Sequence, residues 1–491
     1  MEGTISDVSI ADFCSKIHRN ESTSLSAELE SISRLTKEKT GAYVLEDGGS
    51  SLVTRAWLCE YAEEKIDIQY FIFSTDNIGL IACDYLVRAA DRGVKVRILI
   101  DDIMVDAGVE DVLTLDSHEN IEIKIYNPGI SFGKNILSKI KQVVTNFRGI
   151  NQRMHNKTFI VDDKVVITGG RNIADEYFDY DHEYNFRDRD VLLLGKVVPN
   201  VQSSFDQFWD NEISIPVRNL TTFDDSINSN KQFVKLHNYA CDTNNFWPQI
   251  REQIEHLPET FEKVKQSNKL LWLDDVHFIS DNPGKNDGTK GLYGGGITTD
   301  TLIQLVRNAK KTIDIQSPYL ITTESSRNLF RDAINRGVKI RVLTNSLAST
   351  DNLEAFSGYQ RDREKLLKTG VRIFEFRPDA MVRYKMLTGD LQKELDFTPI
   401  FGLHAKTMVI DGNITAIGTF NLDPRSTNLN TECFVVLRSE EVATNVLTGI
   451  EEEFKSKNSW ETTLEFNPDI KAGKKKQIKS WTRKIVPKGV L

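Results

Sequence analysis

The chain contains two copies of a pattern in which a histidine precedes a lysine by two residues. An aspartate, a glycine and an asparagine follow at the same distances in both copies. The members are His155, Lys157, Asp162, Gly169 and Asn172 in the first copy, and His404, Lys406, Asp411, Gly418 and Asn421 in the second. One copy alone is better explained by a structural histidine, but two copies at identical spacing favour a shared chemical role.

Strand geometry gives this spacing a chemical meaning. Residues two apart on a strand project to one face, so each histidine shares a face with its lysine. A returning strand predicted over residues 165–168 brings Gly170 and Asn172 back beside His155. Glycines let a phosphate approach the backbone, and an asparagine amide donates to its oxygens. The groups that we expect to contact phosphate are Lys157, Lys406, Asn172, Asn421, Gly170 and Thr419.

These residue types suit the chemistry of a phosphate diester. A neutral imidazole can attack phosphorus, while a second, protonated imidazole donates a proton to the departing alkoxide. Lysines and amides neutralise the non-bridging oxygens as the transition state forms. The sequence has no HExxH motif and no acidic cluster near the histidines. We therefore expect catalysis without a metal or a cofactor.

An internal repeat indicates which elements position these groups. The chain repeats KIDIQ (65–69) as TIDIQ (312–316), and RGVKVRIL (92–99) as RGVKIRVL (336–343). A helical pattern lies between the two segments in each half, and a glycine follows each predicted helix. Strand, helix, glycine turn and strand form a βαβ unit. Any α/β protein can repeat such units, but the paired histidine patterns favour a true duplication.

The predicted fold is a duplicated α/β architecture with the active site between the halves. Each half is expected to contain a mixed, mainly parallel sheet flanked by helices. The predicted organisation is an N-terminal extension (1–39), a first lobe (40–215), a connecting segment (216–268), a second lobe (269–460) and a basic C-terminal tail (461–491).

The amino-acid composition limits the kinds of molecule that the protein is expected to bind and the compartment in which it is expected to work. The 491 residues carry a formal net charge of -9, which disfavours a general nucleic-acid-binding protein. No apolar run reaches the roughly 20 residues that span a bilayer, and the N-terminus lacks a signal-peptide pattern. The five scattered cysteines lack a CxxC pair, which predicts reduced thiols and a cytoplasmic location.

The paired patterns resemble the HKD motifs of the phospholipase D superfamily, and the resemblance extends from about Thr40 to about Lys455. Within that superfamily, NLDPRS at 421–426 and NLNTE at 428–432 are similar to cardiolipin synthases. The segments GGRNIADEYF at 169–178 and RDRDV at 187–191 are similar to the bacterial C-type branch. That branch is understood to join a phosphatidyl group from one phospholipid to the glycerol end of phosphatidylglycerol.

The resemblance implies roles for individual residues. His155 is expected to become phosphatidylated, and His404 to act as general acid and then as general base. Glu432 is expected to hold His404, with Asp190 as the matching acid for His155, since a carboxylate fixes the imidazole tautomer. The motif aspartates, Asp162 and Asp411, are expected to serve structure more than proton transfer. The DNPGK segment at 281–285 is either a loop near the site or a solvated turn.

Two segments could contact a membrane. Residues 130–148 place apolar side chains at helical spacing beside lysines, as interfacial helices do, although a helix packed on the core has the same pattern. Residues 471–488 combine eight basic side chains with Trp481 and two isoleucines. Such a segment could lie on anionic headgroups or be an ordinary disordered terminus.

The function expected from the sequence is a phosphatidyltransferase acting on phospholipids, with phosphatidylglycerol and phosphatidylethanolamine as candidate substrates. A monomer peripheral to the inner face of the cell membrane is expected. A phospholipase D-type hydrolase would use the same pocket with water as acceptor. A nuclease is disfavoured by the acidic charge balance, and a catalytically silent binding protein by the intact residue set in both halves.

Overall fold

The computed structural model describes residues 24–102, 109–129, 151–220, 229–285, 288–387 and 399–491. Its strands are β1 Thr40–Leu45, β2 Lys65–Tyr70, β3 Lys95–Asp101, β4 Ile121–Tyr126, β5 Thr158–Val161, β6 Val165–Gly169, β7 Tyr184–Arg187, β8 Asp190–Gly195, β9 Ser214–Pro216, β10 Leu271–Leu273, β11 Val276–Ser280, β12 Thr312–Gln316, β13 Lys339–Asn345, β14 Arg372–Phe376, β15 Ile400–Leu403, β16 Lys406–Ile410, β17 Ile414–Gly418, β18 Cys433–Arg438 and β19 Ser459–Thr462.

The described α-helices flank these strands. They are α1 Leu25–Leu29, α2 Ser33–Glu38, α3 Gly48–Tyr61, α4 Asn77–Asp91, α5 Val109–Asp116, α6 Val198–Trp209, α7 Ser229–Ala240, α8 Pro248–Glu255, α9 Thr260–Gln266, α10 Ile297–Asn308, α11 Glu324–Asn335, α12 Leu353–Leu367, α13 Arg383–Met386, α14 Pro424–Asn428, α15 Glu440–Glu453 and α16 Lys474–Arg483.

The strands form two large sheets with matching centres. The first has the order β10-β1-β8-β6-β5-β2-β3-β4-β9, and the second β11-β18-β17-β16-β12-β13-β14-β19. The duplicated mixed α/β fold is thus confirmed, but the expectation of mainly parallel sheets is wrong. Only β2-β3-β4 and β12-β13-β14 are parallel among the described pairings of these sheets. The strands carrying the histidine patterns return as the hairpins β5-β6 and β16-β17, and a hairpin is antiparallel by construction.

The repeat read from the sequence corresponds to β2-α4-β3 and β12-α11-β13. Gly93 and Gly337 follow α4 and α11 with φ of 94° and 93°, a conformation that costs other residues strain. One ion pair recurs across each parallel pair: Arg97 binds Asp67 at 2.7 Å, and Arg341 binds Asp314 at 2.6 Å. The two units therefore match in backbone and in side-chain pairing.

The halves share one hydrophobic core. A single cluster of buried side chains contains Ile160 and Leu193 from the first sheet and Val409 and Val435 from the second. A small additional sheet pairs β7 with β15 in parallel, and so links the two halves by backbone hydrogen bonds. This shared core fixes the relative position of the two sequence patterns.

The peripheral segments attach to one half or the other. In the connecting segment, Phe261 of α9 stacks on Trp57 of α3 with ring centroids 5.3 Å apart, so this segment covers the first half. Leu25 and Leu29 of α1 are buried in the same half. The basic, amphipathic stretch at 130–148 lies outside the described residues.

Two sequence expectations concern cysteines and membrane spans. Cys83 and Cys433 are free thiols, whereas Cys241 is disulfide-bonded, so the expectation of reduced thiols is wrong at Cys241. In the described part of the chain, every helix is too short or too polar to cross a bilayer.

Candidate active site

The two histidine patterns meet where the sheets face each other. His155 precedes β5 and His404 precedes β16. The backbone N–H of His155 donates to the carbonyl of Thr431 at 3.0 Å, and that of His404 donates to the carbonyl of Arg187 at 2.8 Å. Each histidine is thus anchored by backbone of the other half.

The carboxylates that hold the imidazoles also cross between halves. Nδ1 of His155 lies 2.8 Å from Oε2 of Glu432, and Nδ1 of His404 lies 2.6 Å from Oδ2 of Asp188. The predicted pairs, Glu432 with His404 and Asp190 with His155, are therefore wrong. Because β7 pairs with β15 and Met154 bridges Thr431, each carboxylate is carried towards the opposite histidine.

Asp188 is the functional residue that sequence reasoning missed. Gly169 stands opposite Asp190 in the β6-β8 pair, and Gly418 stands opposite Phe434 in the β17-β18 pair. Two residues before these partners come Asp188 and Glu432, which are therefore equivalent. Aligning the segments after each pattern by strand register would have identified Asp188.

Asp190, the carboxylate predicted to bind His155, instead binds Arg55 and Ser51. Its Oδ2 accepts from Nη2 of Arg55 at 2.9 Å and from the hydroxyl of Ser51 at 2.8 Å. Both members of the ion pair are buried, so each compensates the charge of the other. Asp190 contributes to packing behind the site and contacts neither catalytic imidazole.

Burial keeps both imidazoles neutral. Their side chains are only 8% (His155) and 7% (His404) exposed. Loss of solvation lowers the pKa of His155 to about 4, against the opposing effect of Glu432. Burial, assisted by Lys406, lowers the pKa of His404 to about 3. Neutral imidazole is the nucleophilic form.

The partner carboxylates remain charged. Burial acts to raise the pKa of Asp188, but His404 and the cations nearby outweigh it and hold the pKa well below its usual value. In the same way burial is outweighed at Glu432, whose pKa is lowered by His155 and Thr419. Each histidine therefore faces an ionised acceptor that fixes the proton on Nδ1.

The two lysines form a shared cationic centre. Burial and the charge of Lys406 lower the pKa of Lys157 to about 7. Burial lowers the pKa of Lys406 to about 8, although Asp188 and Glu432 oppose the change. The charge of Lys406 thus acts on Lys157, and a bound anion would oppose that repulsion.

The residues predicted to bind phosphate have different contacts in the first and the second motif. Oδ1 of Asn172 accepts from the N–H of Ile72 at 3.1 Å, which turns the amide NH₂ away from that contact. Oδ1 of Asn421 is buried without a hydrogen-bond partner among the described residues. The hydroxyl of Thr419 donates to Oε2 of Glu432 at 2.5 Å, so it supports the carboxylate. At Gly170, a Cβ would lie 2.1 Å from Oδ1 of Asp188.

The motif aspartates lie at the far ends of their strands. Asp162 accepts from the backbone N–H groups of residues 63–65 at 2.8, 2.8 and 2.9 Å. Asp411 accepts in the same manner from residues 310–312. Both have φ near 50°, a turn conformation that aspartate tolerates. These contacts match the expected structural role.

Aromatic rings close the site. The ring of Phe71 lies 5.0 Å from that of His155, in an edge contact. His404 has two such neighbours, Tyr177 at 5.0 Å and Phe186 at 4.8 Å. These rings exclude water from the imidazoles and explain the lowered pKa values.

The 281–285 loop supports the strand that carries Glu432. The N–H of Asp281 donates to the carbonyl of Glu432 at 3.0 Å, and Nζ of Lys285 donates to Oδ2 of Asp281 at 2.9 Å. Asp281 is buried. The loop therefore lies beside the site, and the alternative of a solvated turn is wrong.

Comparison with known proteins agrees with this geometry. The family described as "Cardiolipin synthase, PLD-like domain" matches residues 58–209 and 302–456. The chain is 34% identical over 412 residues to cardiolipin synthase C of Escherichia coli K12, covering 82% of each chain. An uncharacterised protein of Helicobacter pylori 26695 is also 34% identical, over 86% of this chain and 80% of that one.

A solved structure shares the fold. Phosphatidylserine synthase of Haemophilus influenzae Rd KW20 superposes with a TM-score of 0.58 at 13% identity, covering 95% of this chain and all of that one. The two matched family segments and the extended identity to cardiolipin synthase C agree with the paired HKD motifs. The chain therefore belongs to the cardiolipin synthase family with phospholipase D-like domains.

Proposed function

We propose that the chain is a phosphatidyltransferase of the cardiolipin synthase type that works through a covalent phosphohistidine. The observation that carries the proposal is the crossed arrangement of His155 with Glu432 and His404 with Asp188. It unites two neutral imidazoles and two lysines in one centre. Phosphatidylglycerol and phosphatidylethanolamine are the candidate substrates.

His155 is the proposed nucleophile. Glu432 occupies its Nδ1, so the lone pair on Nε2 is available to attack phosphorus. Nζ of Lys406 lies 2.9 Å from Nδ1 and 3.0 Å from Nε2 of His404, whereas Nζ of Lys157 donates to the backbone carbonyl of His155 at 2.8 Å. The asymmetry supports attack by His155 and proton transfer by His404.

The first step transfers the phosphatidyl group to the enzyme. The bond from Nε2 of His155 to phosphorus forms as the bond from phosphorus to the departing alcohol oxygen breaks. His404 donates its Nε2 proton to that oxygen. The bound phosphodiester anion raises the pKa values of His404 and both lysines, which makes the acid form accessible. Lys157, Lys406, Asn172 and Asn421 stabilise the non-bridging oxygens.

The second step releases the product. Neutral His404 removes the proton of an acceptor hydroxyl, whose oxygen attacks phosphorus as the bond to His155 breaks. When the acceptor is the glycerol end of phosphatidylglycerol, the product is cardiolipin. When the acceptor is water, the product is phosphatidic acid.

The proposed setting is the inner face of the cell membrane, with the enzyme attached peripherally. One chain supplies both motifs and both carboxylates, which supports activity as a monomer. The net charge of -9 supports a lipid substrate over a nucleic acid.

The test is lipid mass spectrometry after incubation of the purified protein with phosphatidylglycerol, with and without phosphatidylethanolamine. Cardiolipin is expected with wild-type protein and absent with His155→Ala. Phosphatidic acid as the sole product would reject the transferase in favour of the hydrolase. Unchanged lipids would reject both.

A further inference from the structure

Helix α16, in the predicted basic tail, buries its polar side. Ser480 is fully buried, and its hydroxyl donates to Oε1 of Gln360 at 2.9 Å. Nζ of Lys476 donates to the carbonyls of Ala348 and Thr350 at 3.1 and 2.8 Å. The helix is thus fixed to the second half by hydrogen bonds, and the alternative of a disordered terminus does not hold for it.

The opposite side of α16 and the turn that follows it present large apolar groups to solvent. Ile478, Trp481 and Ile485 are 65%, 71% and 88% exposed. Their spacing of three and four residues forms one stripe. A surface helix ordinarily turns such a stripe towards the core. This inversion marks a surface that binds a partner.

Lysines surround the stripe. Lys474, Lys475, Lys479 and Lys484 are exposed, and none forms an ion pair with a carboxylate in the described part of the chain. Arg483, by contrast, is paired with Glu354 at 2.8 Å. In a chain with a net charge of -9, this local excess of cations fits an anionic partner.

A chain of contacts connects the buried side of α16 to the active site. Lys476 binds the loop that contains Ser349, whose carbonyl accepts from the hydroxyl of Tyr184. The Tyr184 ring packs 4.9 Å from that of Phe186, which in turn lies 4.8 Å from His404. On the other side, the N–H of Arg425, four residues after Asn421, donates to the carbonyl of Leu491 at 3.0 Å.

We propose that Ile478, Trp481, Ile485 and the four lysines form a docking surface for an anionic lipid bilayer. Tryptophan favours the membrane interface, isoleucine favours the acyl region beneath it, and lysine favours anionic headgroups. Docking would hold the enzyme against the headgroups. The proposal shares the lipid substrate of the proposed function, but vesicle binding tests it without turnover.

The experiment is sedimentation of the His155→Ala protein with vesicles of phosphatidylglycerol and phosphatidylcholine, and with vesicles of phosphatidylcholine alone. All comparisons use this inactive background, so lipid composition stays constant. Partition to the anionic vesicles is expected to weaken at least about tenfold when Lys474, Lys475, Lys479 and Lys484 become Gln. Trp481→Ala with Ile485→Ala is expected to weaken it about tenfold as well.

The matched control is Val234→Ala, which removes a 59% exposed apolar side chain from α7 on the other half and should leave partition unchanged. Melting temperatures verify folding. Equal partition of all variants would overturn the proposal. Loss of a concentration-dependent dimer by Trp481→Ala with Ile485→Ala, at unchanged vesicle binding, would overturn it in favour of a second copy. Strong vesicle binding by the His155→Ala protein, together with a wild-type protein that makes no cardiolipin, would reject only the proposed activity.

Discussion

The carboxylates that bind the two histidines are supported differently. Glu432, which binds His155, accepts a hydrogen bond from the hydroxyl of Thr419. Asp188, which binds His404, faces Gly170, the residue of the first motif that corresponds to Thr419. The two centres otherwise repeat each other, with a lysine two residues after each histidine. The pairs also differ in length, since glutamate reaches further than aspartate. The two halves therefore share a duplicated backbone arrangement, but the contacts that stabilise the carboxylate differ between them.

The two imidazoles also differ in the side chains that contact them. Nζ of Lys406 lies 2.9 Å from Nδ1 and 3.0 Å from Nε2 of His404, and two aromatic rings pack against that imidazole. Among the described residues, the aromatic ring packed against His155 is that of Phe71. We interpret the first arrangement as suited to moving a proton and the second as suited to attack on phosphorus. The following predictions test this division of labour.

Removing either imidazole has the largest expected effect. His155→Ala and His404→Ala should each lower kcat for natural phospholipids by about 10⁴-fold or more. A phosphodiester with a p-nitrophenol leaving group needs no proton donor, so it should restore much of the first step in His404→Ala and none in His155→Ala. Release of p-nitrophenol measures this step. The reverse pattern would exchange the roles of the two histidines.

Changing the crossed carboxylates comes next. Glu432→Gln and Asp188→Asn should each lower kcat by about 10²- to 10³-fold, because the imidazole loses its fixed tautomer. Asp190→Asn should instead act on folding: it leaves Arg55 buried with a neutral partner and lowers the free energy of unfolding by about 3 kcal/mol. Steady-state kinetics and urea unfolding separate the two effects. A kinetic defect confined to Asp190→Asn would restore the pairing predicted from sequence.

Substitution of the residues that contact the two carboxylates, Gly170 and Thr419, should lower kcat less. Gly170→Ala places a Cβ against Asp188, and we expect about a 100-fold loss of kcat as that carboxylate moves off His404. Thr419→Ala removes one hydrogen bond to a charged group, so about a tenfold loss is expected. Thr419→Ser is the matched control and should retain activity. Equal activity of Gly170→Ala and wild type would show that Asp188 tolerates displacement.

The pH dependence gives the smallest change, about tenfold per pH unit outside a plateau. The free enzyme needs neutral His155, whose lowered pKa of about 4 sets the acidic limit. It also needs protonated Lys157, whose lowered pKa of about 7 sets the alkaline limit. A profile of kcat/KM for the p-nitrophenol phosphodiester, which needs no proton from His404, should therefore fall below about pH 4 and above about pH 7. An alkaline limit near the ordinary lysine value of about 10.4 would contradict the lowered pKa of Lys157.

The sequence predicted the features that local spacing and repetition determine. The paired patterns, the βαβ repeat and the structural role of Asp162 and Asp411 follow from residues close together in the chain. The crossed pairing does not, because it depends on β7 leaving its own half to pair with β15. Asp188 and Asp190 are two residues apart, so strand periodicity cannot choose between them. The register of β6 against β8 makes the choice.

The sheet prediction failed for a related reason. The prediction of mainly parallel sheets rests on the βαβ units, each of which contributes parallel neighbours. The hairpins that carry the histidine patterns, and the outer strands β1 and β11, pair antiparallel and outnumber them. The short turns at residues 162–164 and 411–413 indicate both hairpins, and the returning strand predicted at residues 165–168 belongs to the first.

Trapping the covalent intermediate tests the central claim most directly. His404→Ala protein would be mixed with the p-nitrophenol phosphodiester, quenched, digested and analysed by mass spectrometry. The adduct should appear on the peptide containing His155, decline sharply when Glu432→Gln is added, and persist when Asp188→Asn is added. An adduct on another residue, or one at His155 that depends on Asp188 and not on Glu432, would contradict the crossed centre.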